Sequence, residues 1–442
     1  MVKMLLELAV MLAIIMIGSR VGGIGLGVWG GIGVFALATI FGVEPTVPPV
    51  DVLLIILSVV VAAATMEAAG GVDYMVRIAE RIIRSNPKRI TFVAPLVTYA
   101  FTVGAGTGHL LYPLLPVIHE VAREGGIRPE RPISIATIAN QIAIVASPVS
   151  ASTAASVVIF GPDGWSIVKI LAITVPSTLI GSMVGALSVI KLGKDLDDDP
   201  EYQRRLAAGE IPPIDPTHAD RPPLPPRASW SAGIFLLGVI AIVISGAFPS
   251  LRPDVHGADG KVDALAMPYA IEVLMLATAA VIMVLCKVNA ASVPGMPVAK
   301  AGLVALVGVF GLAWLGDSFV EANKTLIVDK LGDVAKDYPW TFAIIVTVVA
   351  ALILSQAATT KTMMPLGMAL GIPSAQLVAM LPAVAALFIL PVYPTSIAAV
   401  NFDLSGTTHF GKYVLNHSFM RPGLVTLVAS IAIGYGLAAI IG

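Results

Sequence analysis

Two short strings, Gly104-Ala-Gly-Thr-Gly108 and Ser355-Gln-Ala-Ala-Thr-Thr360, interrupt apolar segments that occupy matching places in the two halves of the chain. Thr107 in the first string and Thr359 in the second are 252 residues apart. The prolines that open and close the two segments keep the same spacing: Pro87 and Pro339, and Pro113 and Pro365. A stretch that occurs twice at one spacing predicts two related halves.

A second interrupted apolar segment follows each copy. Ile144-Val-Ala-Ser-Pro-Val-Ser150 follows the first, and Leu390-Pro-Val-Tyr-Pro-Thr-Ser396 follows the second at an offset of 246 residues, from position 150 to position 396. Backbone that is not helical at membrane depth must be buried in protein or line a cavity. Paired broken segments in corresponding positions of two halves therefore indicate the substrate site of a secondary transporter.

Composition indicates that most of the surface meets lipid. Of 442 residues, 57% are apolar and 12% are charged, and the mean hydropathy is +0.90. Soluble domains are about one-quarter charged. The runs long enough to span a bilayer are Met4–Gly18, Ile24–Val43, Val50–Ala69, Val168–Ile190, Trp230–Phe248, Met267–Leu285, Val298–Gly316 and Gly423–Ile441.

Charge and cysteine content exclude several functional classes. The net charge is −1 and the pI about 6.6, so no nucleic-acid partner is expected. Cys286 is the only cysteine, which excludes an internal disulfide and a cysteine-based metal site. We expect neither a metal ion nor a cofactor.

The order of the apolar runs predicts an all-α polytopic membrane protein. Each half contains three spans, a re-entrant hairpin, a broken helix and one further span. A hairpin returns to its own side, so each half crosses the bilayer an odd number of times and the second repeat is inverted. The predicted boundaries are 1–190 and 229–442 for the repeats, 191–228 for a cytoplasmic linker, 89–122 and 340–370 for the hairpins, and 133–160 and 376–401 for the broken helices.

Lysine and arginine set the orientation. With the N-terminus outside, nineteen basic residues lie on the cytoplasmic side and seven outside, while Lys361 lies in a hairpin. We therefore predict that both termini are periplasmic and that the linker is cytoplasmic. We interpret the linker as a bare connection, with a regulatory or metal-binding element as the alternative.

The broken segments predict the charge of the ligand. Ser147 followed by Pro148 predicts a half-helix that starts there, and Tyr393-Pro394 is the counterpart in the second half. Four half-helix N-termini, each worth about half a positive charge, supply roughly +2 with free N–H donors. A small dianion balances this potential. Because no arginine lies in the four interrupting strings, 104–108, 144–150, 355–360 and 390–396, we expect amides and hydroxyls to hold its carboxylates.

Several candidate residues have a structural alternative. The hydroxyls can cap helices as well as bind ligand. His109 can couple protons or serve a structural role, and Lys361 can neutralise a carboxylate or extend to the interface. His119 is expected to be solvated. The candidate substrate-binding residues are Thr107, Gly108, His109, Asn140, Gln141, Ser147, Pro148, Ser150, Ser355, Gln356, Thr359, Thr360, Lys361, Tyr393, Pro394, Thr395 and Ser396.

These residues lie in strings that resemble the anaerobic four-carbon dicarboxylate transporters, the Dcu family, and its B-type branch most closely. The similarity extends over nearly the whole chain. The matching strings are Gly70-Gly-Val-Asp73, Asn86-Pro-Lys88, Gly106-Thr-Gly-His109, Ile127-Arg-Pro-Glu-Arg-Pro132, Ala146-Ser-Pro-Val-Ser150, Val175-Pro-Ser-Thr-Leu179, Ser355-Gln-Ala-Ala358, Ile389-Leu-Pro-Val-Tyr-Pro394, Ser405-Gly-Thr-Thr-His409 and Asn416-His-Ser-Phe419. Lys361 is more similar to the A-type branch.

The resemblance implies exchange or uptake of fumarate, succinate, malate and aspartate across a bacterial inner membrane. It also implies the ion-transporter superfamily fold, with a scaffold domain and a moving transport domain. H⁺ or Na⁺ is the implied coupling ion, although Gly106-Thr-Gly108 and Ala358-Thr-Thr360 replace the Ser-Asn-Thr triplets of sodium-coupled members. By analogy with elevator carriers, a homodimer is expected.

Two other functions use parts of the same pattern. An anion channel could use the same helix ends without alternating access. A membrane-embedded enzyme acting on a lipid or an organic acid would require paired carboxylates, Cys/His pairs or metal-ligand spacing, which the apolar segments lack.

Overall fold

The computed structural model describes residues 2–21, 24–211, 223–256, 262–390, 393–411 and 416–442. Helices account for nearly all of the regular structure. The first nine are α1 (Val2–Val21), α2 (Gly25–Phe41), α3 (Val50–Ala68), α4 (Gly71–Arg84), α5 (Ile90–Ala105), α6 (Leu115–Glu124), α7 (Glu130–Ala143), α8 (Ala151–Phe160) and α9 (Ile167–Val189).

The remaining nine helices begin with a short helix in the linker. They are α10 (Pro200–Ala207), α11 (Ala228–Ala247), α12 (Met267–Cys286), α13 (Pro297–Asp337), α14 (Trp340–Ile353), α15 (Gln356–Ala369), α16 (Ser374–Met380), α17 (Pro394–Phe402) and α18 (Met420–Ile441). One short antiparallel hairpin, β1 (Asp254–His256) with β2 (Val262–Ala264), departs from the all-α prediction.

Seven helical segments of the described chain are long and apolar enough to cross a membrane, which confirms the polytopic prediction. Apolar side chains such as Phe35, Val284 and Val428 point away from the protein, at 69%, 74% and 65% exposed. The seven segments are Val50–Ala68, Glu130–Asp163, Ile167–Val189, Ala228–Ala247, Met267–Cys286, Pro297–Asn323 and Met420–Ile441.

The first predicted hairpin consists of α5 and α6 with an irregular connection. Helix α5 ends where Gly106 adopts a positive φ of +69°, which glycine tolerates without a Cβ clash. Thr107 is extended, and a short 3₁₀ helix, Gly108–Leu111, leads towards α6. The interruption therefore lies at the predicted string.

The second hairpin consists of α14 and α15, and its break differs from the prediction. Leu354 has a positive φ of +56°, and Ser355 caps α15 by accepting a hydrogen bond from the Ala358 N–H at 3.4 Å. The triplet Ala358-Thr-Thr360 therefore lies inside α15, and the expectation that it replaces the tip triplet is wrong. Because Ser355 caps α15, the helix starts several residues before Thr359, the position that corresponds to Thr107 in the first half.

The first broken helix consists of α7, a 3₁₀ turn at Ile144–Ala146 and α8. The predicted helix start at Ser147 is wrong: Ser147 is extended, and its hydroxyl donates to the Val103 carbonyl at 2.7 Å. Ser150 is the N-cap of α8 instead and accepts from the Thr153 N–H at 3.1 Å. The helix starts three residues later than predicted, and the bond to Val103 ties the extended Ser147 to α5.

The second broken helix consists of α16, a 3₁₀ segment at Leu381–Ala385 and α17. Helix α17 begins at Pro394 with extended Tyr393 before it, so this predicted half-helix start is confirmed. Residues 391 and 392 of the quoted string lie outside the described residues. The two broken helices extend slightly beyond their predicted ends, to 130–160 and 374–402.

Small residues and one carboxylate fix the position of α13. A Cβ on Gly311 would lie 1.8 Å from the Gly27 carbonyl oxygen, so α2 and α13 are in backbone contact. Glycine permits such close approach of membrane helices. The Glu67 side chain accepts a hydrogen bond from the Val298 N–H at 2.9 Å, which satisfies a free donor at the start of α13.

Part of the linker is folded against the helices, so the prediction of a bare connection is wrong for residues 195–211. Asp195 and Asp199 each lie 2.6 Å from an arginine, Arg131 and Arg128 respectively. Both arginines are at the N-terminal end of α7. The apolar residues Leu196, Tyr202 and Ile211 form a small buried cluster of their own.

Candidate functional site

Each interrupted segment of one half packs against an interrupted segment of the other half. Helix α15 of the second hairpin contacts α8 of the first broken helix. Helix α17 of the second broken helix contacts both α7 and the 3₁₀ turn Gly108–Leu111 of the first hairpin. The breaks predicted from the sequence therefore meet at one place.

Gln141 is the residue through which these segments are joined. Its side-chain Nε2 lies 3.0 Å from the Thr395 hydroxyl and 3.3 Å from the Ser396 hydroxyl at the start of α17. Its backbone carbonyl accepts a hydrogen bond of 2.7 Å from the Gln356 side chain at the start of α15. All four residues are buried. Gln141 in α7 thus bridges both half-helix starts of the second half, α17 through its side chain and α15 through its backbone carbonyl.

A hydroxyl pair provides a second link between the halves. Ser152 in α8 and Thr360 in α15 have their hydroxyl oxygens 2.9 Å apart. Thr360 donates its single hydroxyl hydrogen to the Gln356 carbonyl at 2.8 Å, so Ser152 is the donor of the pair. The two N-terminal turns are therefore held side by side.

Asn140 faces the first hairpin. Its Oδ1 accepts a hydrogen bond of 2.7 Å from Thr102 in α5. A Cβ on Gly108 would lie 2.9 Å from Asn140 Nδ2, so only glycine allows the turn to approach this amide without a shift. The hairpin turn is packed directly on the side chain.

Three buried polar atoms of this group have no hydrogen-bond partner among the described residues: Asn140 Nδ2, Gln141 Oε1 and Gln356 Oε1. An unsatisfied buried donor or acceptor costs about 1–3 kcal/mol. Unpaired atoms that cluster on adjoining side chains indicate a site where a ligand completes the hydrogen bonds. The arrangement can bind a small polar molecule through amide groups.

Three helix starts surround this group. Helices α8, α15 and α17 begin after Ser150, Ser355 and Tyr393, and Pro394 occupies the first position of α17. Their first N–H groups carry partial positive charge and favour anions. Thr107 precedes the short 3₁₀ helix of the first hairpin and accepts a weak hydrogen bond from the His109 N–H at 3.4 Å.

Other predicted residues make local contacts instead. The Thr359 hydroxyl donates to the Ser355 carbonyl within α15 at 2.8 Å. His109 is exposed, and its Nδ1 lies 2.7 Å from the Thr107 hydroxyl. Lys361 Nζ lies 3.8 Å from Asp317 on α13. Ser147 and Pro148 are buried beside α5, where Ser147 bonds the backbone.

Sequence reasoning missed Thr102 and Ser152, which hold the amide network in place. Each lies inside a helix, four residues before Gly106 and two after Ser150. A hydroxyl residue within about one turn of a predicted break was the available signal. The predicted site included Asn140 and Gln141, which lie in α7 outside the break, but not these two hydroxyl residues.

A second buried polar cluster lies where α17 ends. Asp403 is 4% exposed and His119 is 3% exposed, with 3.2 Å between the Asp403 carboxylate and His119 Nδ1. His119 is therefore buried and not solvated as predicted. Burial alone would raise the pKa of Asp403, but the contact with His119 and hydrogen bonds from Ser405 and Thr408 lower it to about 2.

No group of three or more His, Cys, Asp or Glu side chains that could hold a metal occurs within the described ranges. The network around Gln141 consists of amides and hydroxyls, which are neutral. Its chemistry is that of a binding site for a polar organic molecule.

Comparisons with known proteins give the family. The model of the family described as anaerobic C4-dicarboxylate membrane transporters, DcuA_DcuB, matches residues 3–442. The chain is 41% identical over 448 residues to an anaerobic C4-dicarboxylate transporter DcuB of Escherichia coli O6:H1, covering 99% of both chains. It is also 41% identical over 440 residues to a C4-dicarboxylate transporter DcuA of Wolinella succinogenes, covering 98% of this chain and 99% of the relative.

Two solved structures share the fold. The YdaH transporter of Alcanivorax borkumensis aligns with a TM-score of 0.56 at 15% identity, covering 94% of this chain and 96% of that one. MtrF of Neisseria gonorrhoeae aligns with a TM-score of 0.53 at 13% identity, covering 91% and 84%. At these identities the likeness concerns the fold alone.

The predicted family is confirmed, and membership makes the chain a multi-pass membrane transporter and not an enzyme. The DcuB and DcuA relatives are equally identical to it, so the closer similarity to the B-type branch stays a prediction. Matched over residues 3–442, this chain belongs to the anaerobic C4-dicarboxylate membrane transporter family.

Proposed function

We propose that the protein is a secondary active transporter of C4-dicarboxylates that takes up fumarate, malate, aspartate and succinate and exchanges fumarate for succinate. The single observation that carries the proposal is the Gln141 network, because it joins both interrupted segments of the second half to α7 of the first. The relatives are C4-dicarboxylate transporters, and this supports the substrate class that we propose.

The local electrostatics support a dianionic substrate. The starts of α8, α15 and α17 each contribute about half a positive charge, and the 3₁₀ turn after Thr107 adds further N–H donors. Neutral amides lie between them, with Asn140 Nδ2 available as a donor. A bound dianion would compensate this potential. The loaded site would then cross the hydrocarbon more easily than the empty site, which favours obligatory exchange.

The mechanism we propose is elevator-type alternating access by two inverted repeats, 1–190 and 229–442. The hairpins and broken helices would form the moving transport domain, and α2 and α13, in backbone contact at Gly27 and Gly311, would belong to the scaffold. We further propose an inner-membrane location with both termini periplasmic, a homodimeric assembly, and H⁺ or Na⁺ as the coupling ion.

Counterflow in proteoliposomes tests the proposal. Vesicles loaded with unlabelled succinate should take up labelled fumarate faster than empty vesicles, and uptake should saturate. Equal uptake with and without internal succinate would rule out exchange, and uptake without saturation would indicate an anion channel. A new product derived from the substrate would instead indicate an enzyme.

Gln141→Leu tests the site. The variant removes the bridge to Thr395 and Ser396, so fumarate counterflow should fall at least about tenfold. Thr347→Val is the matched control, because among the described residues the Thr347 hydroxyl bonds to the Ala343 carbonyl within α14 and to no residue of the site. Normal affinity in Gln141→Leu would refute the placement of the site.

A further inference from the structure

The orientation of the Gln356 carboxamide is fixed by its surroundings. Its Nε2 lies 2.7 Å from the backbone carbonyl oxygen of Gln141, which can only accept a hydrogen bond. Reversing the amide would place two oxygen atoms against each other at that distance. Nε2 is therefore the donor, and Oε1 faces the other way.

Gln356 Oε1 is consequently a buried acceptor that needs a donor. The residue is 5% exposed, and this oxygen has no hydrogen-bond partner among the described residues. Gln141 Oε1 on the neighbouring segment is in the same condition. An ionised carboxylate offers only acceptors and cannot satisfy either oxygen.

The third unpaired atom has the opposite chemistry. Asn140, which precedes Gln141 in α7, has its side-chain nitrogen Nδ2 unpaired among the described residues, and this donor suits a carboxylate oxygen. The group as a whole therefore offers donors for carboxylates, namely this nitrogen and the helix starts, and separately offers acceptors. A substrate that matches both needs a donor on the carbon chain between its carboxylates.

We propose that Gln356 Oε1 is a specificity-determining acceptor that binds an ammonium or hydroxyl group at carbon 2 of the substrate. This assignment rests on the proposed function. It distinguishes L-aspartate and L-malate, which carry an ammonium or a hydroxyl group at carbon 2, from succinate and fumarate. The latter two carry no such donor when both carboxyls are ionised. A site that hydrogen-bonds a substrate O–H or N–H discriminates strongly against the analogue that lacks it.

The test compares four substrates in the variant Gln356→Met, which keeps the length of the side chain and removes the acceptor oxygen together with the Nε2 donor to the Gln141 carbonyl. Initial counterflow rates of labelled L-aspartate, L-malate, succinate and fumarate are measured at about pH 8, where carboxyls are ionised. The ratio of kcat/KM for L-aspartate to that for succinate should fall about tenfold to a hundredfold. The ratio is insensitive to a loss of folded protein, because both rates fall together.

Two further variants complete the design. Gln376→Met removes an unpaired glutamine oxygen from α16, outside the Gln141 network, and should leave the ratio unchanged. Gln356→Asn keeps an amide donor and an acceptor oxygen on a shorter side chain, so it should retain part of the discrimination that Gln356→Met loses.

The outcomes separate this inference from the proposed function. Wild-type transport with an unaltered substrate ratio in Gln356→Met would overturn the inference alone. A second outcome would overturn the inference as well. If transport of all four substrates depends on sodium in the wild type and this dependence is lost equally in Gln356→Met, the oxygen binds a cation and not the substrate. No saturable transport of any of the four by the wild type would contradict the proposed function instead.

Discussion

The Lys361 ammonium lies 3.8 Å from the Asp317 carboxylate and joins α15 of the second hairpin to α13. The two side chains are 16% and 20% exposed. The helices are close beside this pair, since a Cβ on Gly316 would lie 2.4 Å from Thr362 Cγ2. Charged pairs within spanning segments are expensive to separate, so the pair stabilises the contact between the hairpin and α13 in this conformation.

We expect Asp317→Asn to destabilise the protein by about 3 kcal/mol, because it leaves a largely buried lysine without its counter-charge. The double variant Asp317→Leu with Lys361→Met removes both charges and should recover most of this loss. Chemical denaturation in mild detergent measures the free energies of unfolding. A double variant less stable than Asp317→Asn would contradict the assigned pairing.

The hydroxyl pair Ser152–Thr360 should show energetic coupling between the two halves. Ser152→Ala and Thr360→Val each remove one partner, and the double-mutant cycle should give a coupling energy of about 1 kcal/mol. The cycle is measured by the same denaturation assay. Thr347→Val combined with Ser152→Ala is the control, because Thr347 bonds only within α14 and should show additive effects.

Much of the fold was predictable because hydrophobic length and backbone breaks are written directly in the sequence. The runs around α3, α9, α12 and α18 have the length a bilayer requires, and the glycine string at 104–108 marks a real interruption. The start of α17 was predictable because proline after a non-helical residue defines a first helical position.

The exact helix starts were less predictable, because tertiary contacts decide which hydroxyl caps a helix. Ser147 and Ser150 are equally good N-caps by sequence, but Ser147 is extended beside α5, where its hydroxyl donates to the Val103 carbonyl, and Ser150 caps α8. The same limit applies to Lys361, whose partner Asp317 is 44 residues earlier in the chain, from position 317 to position 361. Spacing along one segment carries no information about such contacts.

Gly108→Ala should impair substrate binding without unfolding the protein. The new Cβ would lie 2.9 Å from Asn140 Nδ2 and would displace this amide from the site. We expect the KM for fumarate counterflow to rise about tenfold, which corresponds to about 1.4 kcal/mol. Gly161→Ala at the end of α8 is the matched control, since its Cβ would meet nothing within 4 Å. Equal KM values in the two variants would contradict the proposed role of the turn.

Asp403 should make the stability of the protein depend on pH in the acid range. Burial would raise its pKa, but the contact with His119 and the hydrogen bonds from Ser405 and Thr408 outweigh burial and lower the pKa from 3.8 to about 2. A lowered carboxyl pKa stabilises the folded state fully above the unfolded value of about 4, and this stabilisation is lost as the pH falls through about 2. The amount is about 2 kcal/mol.

Asp403→Asn should therefore reduce the thermal stability at neutral pH and flatten its dependence between about pH 4 and pH 2. Thermal melting in detergent across this range measures both effects. Asp263→Asn is the control, because Asp263 lies exposed in β2 and should leave the pH profile as in the wild type. A wild-type profile in Asp403→Asn would mean that other carboxylates govern acid stability, since the buried His119 contact would then contribute nothing to the folded state.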